Sequence, residues 1–482
     1  MEEKGKKLGL WNIIGLGLGG AIGTGIFVLL GSGIAYTGRS IMLVVAVGCF
    51  FMLLAYWYNL AMPNMFVLKG GDYSMKVMLF NPLMSGVSAW MTIVGSFAMA
   101  SYAIAIADYL AIVLPVLKAY QSPVAFIIMT LFFISTIRGS RFLTLLENIV
   151  TIVLVIALGL FVAFGIPQVD AAAFFSNADN GFFHGGFSGF VAAIAVMGWA
   201  CQGTTMAPIS MAAVTKNPKR TIPLGIVIIT ILLAVIYAGM AYVAGGVLPY
   251  DQIAGANISV TAEAIFPNGL YLFFVVGGGI GAIASSLLGG LGMYRYPLMQ
   301  IANDGWLPAC FKKTTKSGYP YLTYLVFYIL SVFPIVTGMS LDAAVSQVMI
   351  PTMLINIYMN LASISLPKKY PEQWAKRSLR IPLWFYNVCC VLGAFCAGAV
   401  AYNLFVELTF RDAAVTVVIV AALVILSVLR IKQGAVKAED LAAKRAEVIA
   451  EALVDSQEDE QEQPDYAFAG VAGQPVKQSV KE

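Results

Sequence analysis

The sequence predicts an all-α integral membrane protein of 12 transmembrane helices, with helices 1 and 6 broken in mid-membrane. Three observations predict it. Hydrophobic residues make up 60% of the 482 and charged residues only 11%, with a mean hydropathy of +0.84, whereas about a quarter of an average soluble chain is charged. Apolar runs of about twenty residues, long enough to cross a bilayer, recur along the chain. Two of these runs are interrupted by glycine and polar residues.

The runs follow in order. Residues 10–36 hold Gly15, Gly17, Gly19, Gly20, Gly23 and Gly25; the run is too long for a secretory signal and lacks a small-residue cleavage site before the next one, so it is read as a retained helix. Residues 40–62 and 83–114 are parted by Lys69, Lys76 and Pro82, and Pro115 closes the latter. Residues 122–137 start beside Pro123, and 143–166 end at Pro167. Residues 186–206 form the second interrupted run. Residues 221–247 stop before Pro249, 270–300 lie between Pro267 and Pro308, and 321–337 follow Pro320. Residues 341–366 stop at Pro367, 381–406 start beside Pro382, and 412–431 close the set. Proline at these places is the punctuation expected of turns at a membrane surface.

The cations test the count. With the amino terminus placed inside, 26 of the 29 Lys and Arg residues fall on inner segments and only Arg39, Lys118 and Arg411 on outer ones, as the positive-inside rule requires. Adding or dropping one run would scramble the later loops, so both termini are expected in the cytoplasm. The net charge of +4 then reflects orientation, and no nucleic-acid partner is implied. The six cysteines (Cys49, Cys201, Cys310, Cys389, Cys390 and Cys396) lie within or beside apolar runs without metal-ligand spacing, which argues against a disulfide framework or metal site. No cofactor is expected. Beyond Lys432, an Ala-, Glu- and Lys-rich stretch from Val436 to Val454 suits a surface helix; the last thirty residues are expected to be disordered. Residues 433–482 hold eleven carboxylates against five cations.

The two interruptions carry the chemistry. In run one they are Ala21-Ile22-Gly23-Thr24-Gly25-Ile26; in run six, Trp199-Ala200-Cys201-Gln202-Gly203-Thr204. If runs one to five and six to ten are repeats of opposite topology, the interruptions correspond, which is the pattern that marks a mid-membrane site. A half-helix starting at Thr24-Gly25-Ile26 presents unpaired N–H groups that suit a carboxylate. One ending near Ala21 or Ala200 presents carbonyls that suit an ammonium group. An α-amino acid satisfies both. Helix packing through small residues accounts for the glycines alone as readily. Gly15-Leu16-Gly17-Leu18-Gly19-Gly20 matches a dinucleotide fingerprint but follows no strand, so that reading fails its context.

Ala21-Ile22-Gly23-Thr24-Gly25-Ile26-Phe27 resembles the first-helix signature of the amino acid-polyamine-organocation (APC) transporter superfamily. Lys216-Asn217-Pro218-Lys219-Arg220-Thr221-Ile222-Pro223 resembles the motif after their sixth helix, and Arg295 through Ala302-Asn303-Asp304-Gly305-Trp306-Leu307-Pro308 resembles the end of their eighth. The resemblance covers the chain from about Lys7 to Lys432. It implies a leucine-transporter-like 5+5 inverted repeat plus two peripheral helices, working by alternating access. The organisation expected is a cytoplasmic amino terminus (1–9), a first repeat (10–166), a second repeat (186–366), helices 11 and 12 (381–431) and a cytoplasmic acidic tail (433–482). By the same resemblance, the backbone of Thr24, Gly25 and Ile26 takes the carboxylate, carbonyls near Ala21, Ile22, Trp199 and Ala200 take the amine, and Cys201, Gln202, Gly203 and Thr204 line the pocket. One departure is that the aromatic-Gly-Phe-Glu pattern of many members is here Gln202-Gly203-Thr204-Thr205, without a carboxylate.

Four residues are candidates for ion coupling. Asp108 and Glu147 are carboxylates near span ends, where snorkelling or ion pairing is the plainer reading. Ser285 and Ser286 fall in span eight where sodium-coupled relatives on this fold place hydroxyl ligands, although helix packing accounts for them too. His184 lies alone in an outer loop, and Asn257-Ile258-Ser259 fits a glycosylation acceptor. The function expected is secondary transport of small neutral amino acids across the plasma (inner) membrane by exchange or proton-linked uptake. A polyamine or other organic-cation carrier is the alternative, and a channel or membrane sensor is the alternative of a different class. With one histidine and no nucleophile–base pairing, an enzyme is not expected. The partners expected are the amino acid and the lipid bilayer, with a homodimer left open.

Overall fold

The computed structural model describes residues 7–68, 71–136, 140–177, 181–212, 215–315 and 319–461. Among them every regular element is a helix. The one extended contact is an isolated parallel bridge between Leu8 and Thr215, beside which the Lys216 amide donates to the Leu8 carbonyl at 2.9 Å. Ten helices are long and apolar enough to cross a membrane, and two shorter apolar helices, Leu10–Ala21 and Tyr321–Val336, accompany them. The chain is a multi-pass membrane protein.

Burial along the last of these helices runs opposite to that of a soluble protein. In Phe410–Lys432 the buried residues are Thr416, Leu423 and Ser427, while Val417, Val418, Ile425 and Leu429 face outward. Lipid solvates the apolar side chains, so the polar ones turn inward and bond: Thr416 to the Gln347 side chain at 2.8 Å, and Ser427 to the Leu423 carbonyl at 2.6 Å.

Several helices are less regular than the apolar runs suggest. Residues 10–36 form Leu10–Ala21, Thr24–Phe27 and Leu29–Thr37, and the last is joined to Ile41–Ala55 through the tight turn Gly38–Ser40. Residues 83–114 are divided at Gly95 into Pro82–Val94 and Ser96–Val113, and a Cβ at that position would lie 2.4 Å from the Tyr294 hydroxyl. Residues 270–300 contain a wide π-type stretch, Phe274–Ile280. Its Gly279 lets the Tyr109 ring approach to where a Cβ would be 2.5 Å from the ring. The Lys216-Asn217-Pro218 motif starts helix Pro218–Gly246, with Asn217 left-handed at φ 45°, a conformation Asn tolerates better than most residues.

The charged stretch after Lys432 is helical from Ala438 to Gln461. Leu441 and Val436 are buried, and the Arg445 guanidinium donates to the Val77 carbonyl at 2.7 Å and to that of Phe80. Of the last thirty residues, expected to be disordered, those as far as Gln461 continue this helix, and 462–482 lie outside the described residues, as do Lys69, Arg138 and Lys316.

Candidate functional site

The first interruption is a complete one. Helix Leu10–Ala21 ends where Ile22 turns extended (φ −86°, ψ 109°), its own N–H still bonded to the Leu18 carbonyl. The chain re-enters helix at Thr24, and the first bond that closes the new turn runs from the Phe27 amide to the Gly23 carbonyl at 3.4 Å. The amides of Thr24, Gly25 and Ile26 therefore precede the internal ladder, as the leading amides of any helix do. The Thr24 side chain lies outside the described residues.

Two carbonyls released by this break are met by hydroxyls from other helices. Tyr237 on helix Pro218–Gly246 donates to the Ala21 carbonyl at 3.1 Å, and Ser286 on helix Gly281–Met293 donates to that of Ile22 at 3.0 Å. Both hydroxyl-bearing residues are buried. An orphan carbonyl at this depth costs about 1–3 kcal/mol or more, so the two bonds make the unwinding tolerable. Glycine at 23 is what admits the second, since a Cβ there would sit 2.4 Å from the Ser286 hydroxyl oxygen. At the far end of the restarted turn, Tyr109 donates to the Phe27 carbonyl at 2.8 Å.

The second interruption is slighter than its sequence suggests. Helix Gly186–Cys201 and helix Gly203–Ser210 are separated by Gln202 alone, which keeps helical angles (φ −80°, ψ −19°) and bonds to the Gly198 carbonyl. Loosening shows just beyond it: the Thr205 amide reaches the Gln202 carbonyl only at 3.4 Å. Pro208, inside the second segment, has no N–H to give the Thr204 carbonyl.

The two interrupted helices lie against each other on both sides of the breaks. A Cβ on Gly25 would come within 2.4 Å of the Ala200 Cα, and one on Gly203 within 2.6 Å of the Ala21 Cα. In this conformation those glycines serve backbone-to-backbone contact. Around the junction, the Tyr102 and Trp199 rings pack with centroids 6.2 Å apart. The Gln202 side-chain Oε1 accepts from the Tyr56 hydroxyl at 2.6 Å, and Cys201 is buried beside the Val45 carbonyl. The hydroxyls of Thr204 and Ser285 are buried without a hydrogen-bond partner, as is the Asn59 side-chain oxygen.

Of the sequence candidates, Ala21, Ile22, Gly23, Thr24, Gly25, Ile26, Trp199, Ala200, Cys201, Gln202, Gly203 and Thr204 therefore gather at one helix junction, with Ser286 in contact. Asp108 stands apart, accepting from Gln121 at 2.9 Å. Glu147 falls on helix Ser140–Gly165, and its side chain lies outside the described residues. His184 stacks on Tyr250 with centroids 4.2 Å apart, and the Asn257 oxygen caps the Ser259 amide at 3.2 Å.

Sequence reasoning missed Tyr237, Tyr102, Tyr56, Asn59 and Asp72, and read Lys76 only as a cation of an inner segment. A small cavity of about 70 Å³ is lined by Asp72, Lys76, Thr92, Ser210, Tyr294 and Thr352 among others. Helix Gly71–Leu79 carries the first two and is fastened to the Asp304-Gly305-Trp306 motif: Tyr73 donates to Asp304 at 2.7 Å and accepts from the Trp306 indole at 2.8 Å. An i, i+4 Asp–Lys pair in Gly71-Asp72-Tyr73-Ser74-Met75-Lys76 was the available signal.

A sequence profile described as "Amino acid permease" matches residues 8–429, across both interruptions and all three motifs. The chain belongs to the amino acid permease family of the APC superfamily. This is a family of transporters, and amino acid transport is what its members do. The permease is 26% identical over 381 residues to a probable threonine/serine transporter, YbxG, of Bacillus subtilis (strain 168), covering 74% of this chain and 77% of that one. It is 25% identical over 396 residues to the branched-chain amino acid permease BcaP of the same organism, covering 76% and 82%. A lysine-specific permease, LysP, of Lactococcus lactis subsp. cremoris (strain MG1363) is 27% identical over 201 residues, covering 37% and 38%.

Proposed function

We propose that this permease is a secondary active transporter of small neutral amino acids, built as a 12-helix 5+5 inverted repeat with two peripheral helices, and working by alternating access. It sits in the plasma (inner) membrane with both termini cytoplasmic. The observation that carries the reading is the complete break at Ile22–Gly23 seated against the interruption at Gln202. The amides of Thr24, Gly25 and Ile26 take the substrate carboxylate, and the carbonyls of Ala21 and Ile22, now held by Tyr237 and Ser286, exchange those hydroxyls for the ammonium group. The small residues Ala21, Gly23, Ala200 and Gly203, capped by Tyr102 and Trp199, favour a short side chain. The transporters named for threonine/serine and branched-chain substrates agree with a neutral one.

Coupling is by exchange or by protons, with Ser285, Ser286, Asp108 and Glu147 as the residues to test. A homodimer is the assembly to test. Counterflow in proteoliposomes with the twenty amino acids, with and without sodium and a pH gradient, checks the whole reading. Alanine, serine and threonine are expected to exchange without sodium, and putrescine is expected not to compete. Competition by putrescine would favour the organic-cation carrier instead.

A further inference from the structure

The cavity lined by Asp72 and Lys76 lies apart from the helix junction. It opens beside Met206 and Ser210, the latter seven residues after Gly203 and so about 10 Å further along the axis at 1.5 Å per residue. Its other walls come from helices Pro82–Val94, Gly281–Met293, Arg295–Asn303 and Leu341–Ser363. Helix Gly71–Leu79, which carries both charges, falls in a segment that the sequence places on the cytoplasmic side, while Thr352 lies midway along Leu341–Ser363, so the cavity reaches from the inner side toward mid-membrane.

The charges here are unusual. Asp72 and Lys76 stand one turn apart on helix Gly71–Leu79, and the Lys76 ammonium is in direct contact with the Asp72 carboxylate, their side chains 5% and 16% exposed. The Tyr58 hydroxyl lies 3.4 Å from the same carboxylate and donates to the Asn356 side-chain oxygen at 2.8 Å, while the Asn356 amide nitrogen is buried without a partner. Taking two charges out of water is seldom repaid by their mutual attraction, so a pair of this kind is weak evidence for stability and calls for another role. Removing only one partner is costly, because the other is left uncompensated.

We propose that the Asp72–Lys76 pair is an inner zwitterion gate, a second station on the path that recognises the head group of the amino acid; this rests on the transport reading above. An α-amino acid carries ammonium and carboxylate on one carbon. Its ammonium replaces Lys76 at Asp72 while its carboxylate replaces Asp72 at Lys76, so neither protein charge is left unpaired during passage. A monocation replaces only Lys76 and strands it; a neutral solute replaces neither. The cavity of about 70 Å³ holds a water molecule or two, given about 30 Å³ for each in the liquid. It is therefore a closed gate in this conformation, and the Thr92, Ser210 and Thr352 hydroxyls are the polar lining available when it widens.

The test is exchange in oriented proteoliposomes, with KM measured separately from each face for Lys76→Met and Asp72→Asn. The KM from the cytoplasmic face is expected to rise at least tenfold and the KM from the outer face to stay within twofold. Equal changes on both faces, or no change in folded protein, would overturn the gate. A measurement on the unaltered permease guards against misfolded variants: an amine-reactive acylating reagent is applied from the cytoplasmic face and modification of Lys76 is followed by peptide mass. Saturating alanine on that face is expected to slow it at least fivefold, whereas an unchanged rate contradicts the proposal. Failure of the unaltered permease to exchange any amino acid would instead refute the transport reading itself.

Discussion

The Ser286 hydroxyl donates to the Ile22 carbonyl at 3.0 Å, across 264 positions of sequence, and so closes one of the bonds that the broken first helix leaves open. Its neighbour Ser285 is equally buried but has no partner. Ser286→Ala should therefore lower stability by about 1–3 kcal/mol, the cost of an unsatisfied buried acceptor. Ser285→Ala should be nearly neutral to stability. Thermal unfolding of the two variants in detergent compares them directly; equal losses would mean that the Ser286 bond does not support the break.

Glycines along the first helix should differ sharply in tolerance. Gly25→Val forces side-chain atoms into the Ala200 backbone, where even a Cβ would come within 2.4 Å, and is expected to abolish uptake. Gly15 has nothing within 4 Å of an added Cβ, so Gly15→Ala should be neutral or stabilising by about 0.5–1 kcal/mol through helix propensity. Uptake assays alongside surface expression test the pair, and normal uptake by Gly25→Val would contradict the close contact of the two interrupted helices.

Tyr73 links helix Gly71–Leu79 to the Asp304-Gly305-Trp306 motif with one hydroxyl that both donates and accepts. Tyr73→Phe removes both bonds and leaves the buried Trp306 indole N–H without that acceptor. A loss of about 1–3 kcal/mol follows from stranding the buried donor, read as a lowered unfolding midpoint. An unchanged midpoint would show that the inner helix is held some other way.

Arg445 fastens the carboxyl-terminal helix to the carbonyls of Val77 and Phe80. Arg445→Ala is expected to speed proteolysis between Gln433 and Ala438 several-fold while leaving the membrane-embedded part intact. Limited proteolysis followed by mass measurement reads this out, and identical cleavage rates would contradict docking through that residue.

Much of the helix arrangement was legible because lipid imposes a length on every apolar run and puts proline and cations at the ends. The break at Ile22–Gly23 was legible because glycine weakens a helix wherever it stands. The interruption at Gln202 was read as deeper than it is, since Gln202 keeps helical angles despite its polar neighbours. The π-type stretch at Phe274–Ile280 was not read at all: its glycines are visible, but the Tyr109 ring that they admit comes from another helix. The same holds for Tyr237 and Ser286 at the freed carbonyls. Which hydroxyl reaches which carbonyl is decided by packing between helices far apart in sequence, and local patterns carry no record of it.

The most direct measurement is trans-stimulated exchange of radiolabelled alanine in proteoliposomes against alanine, alanine methyl ester and N-acetylalanine. If the helix junction grips both charged groups of a zwitterion, alanine alone drives saturable exchange and neither blocked form does. Equal exchange with either blocked form, or flux that rises linearly without saturation, would contradict it.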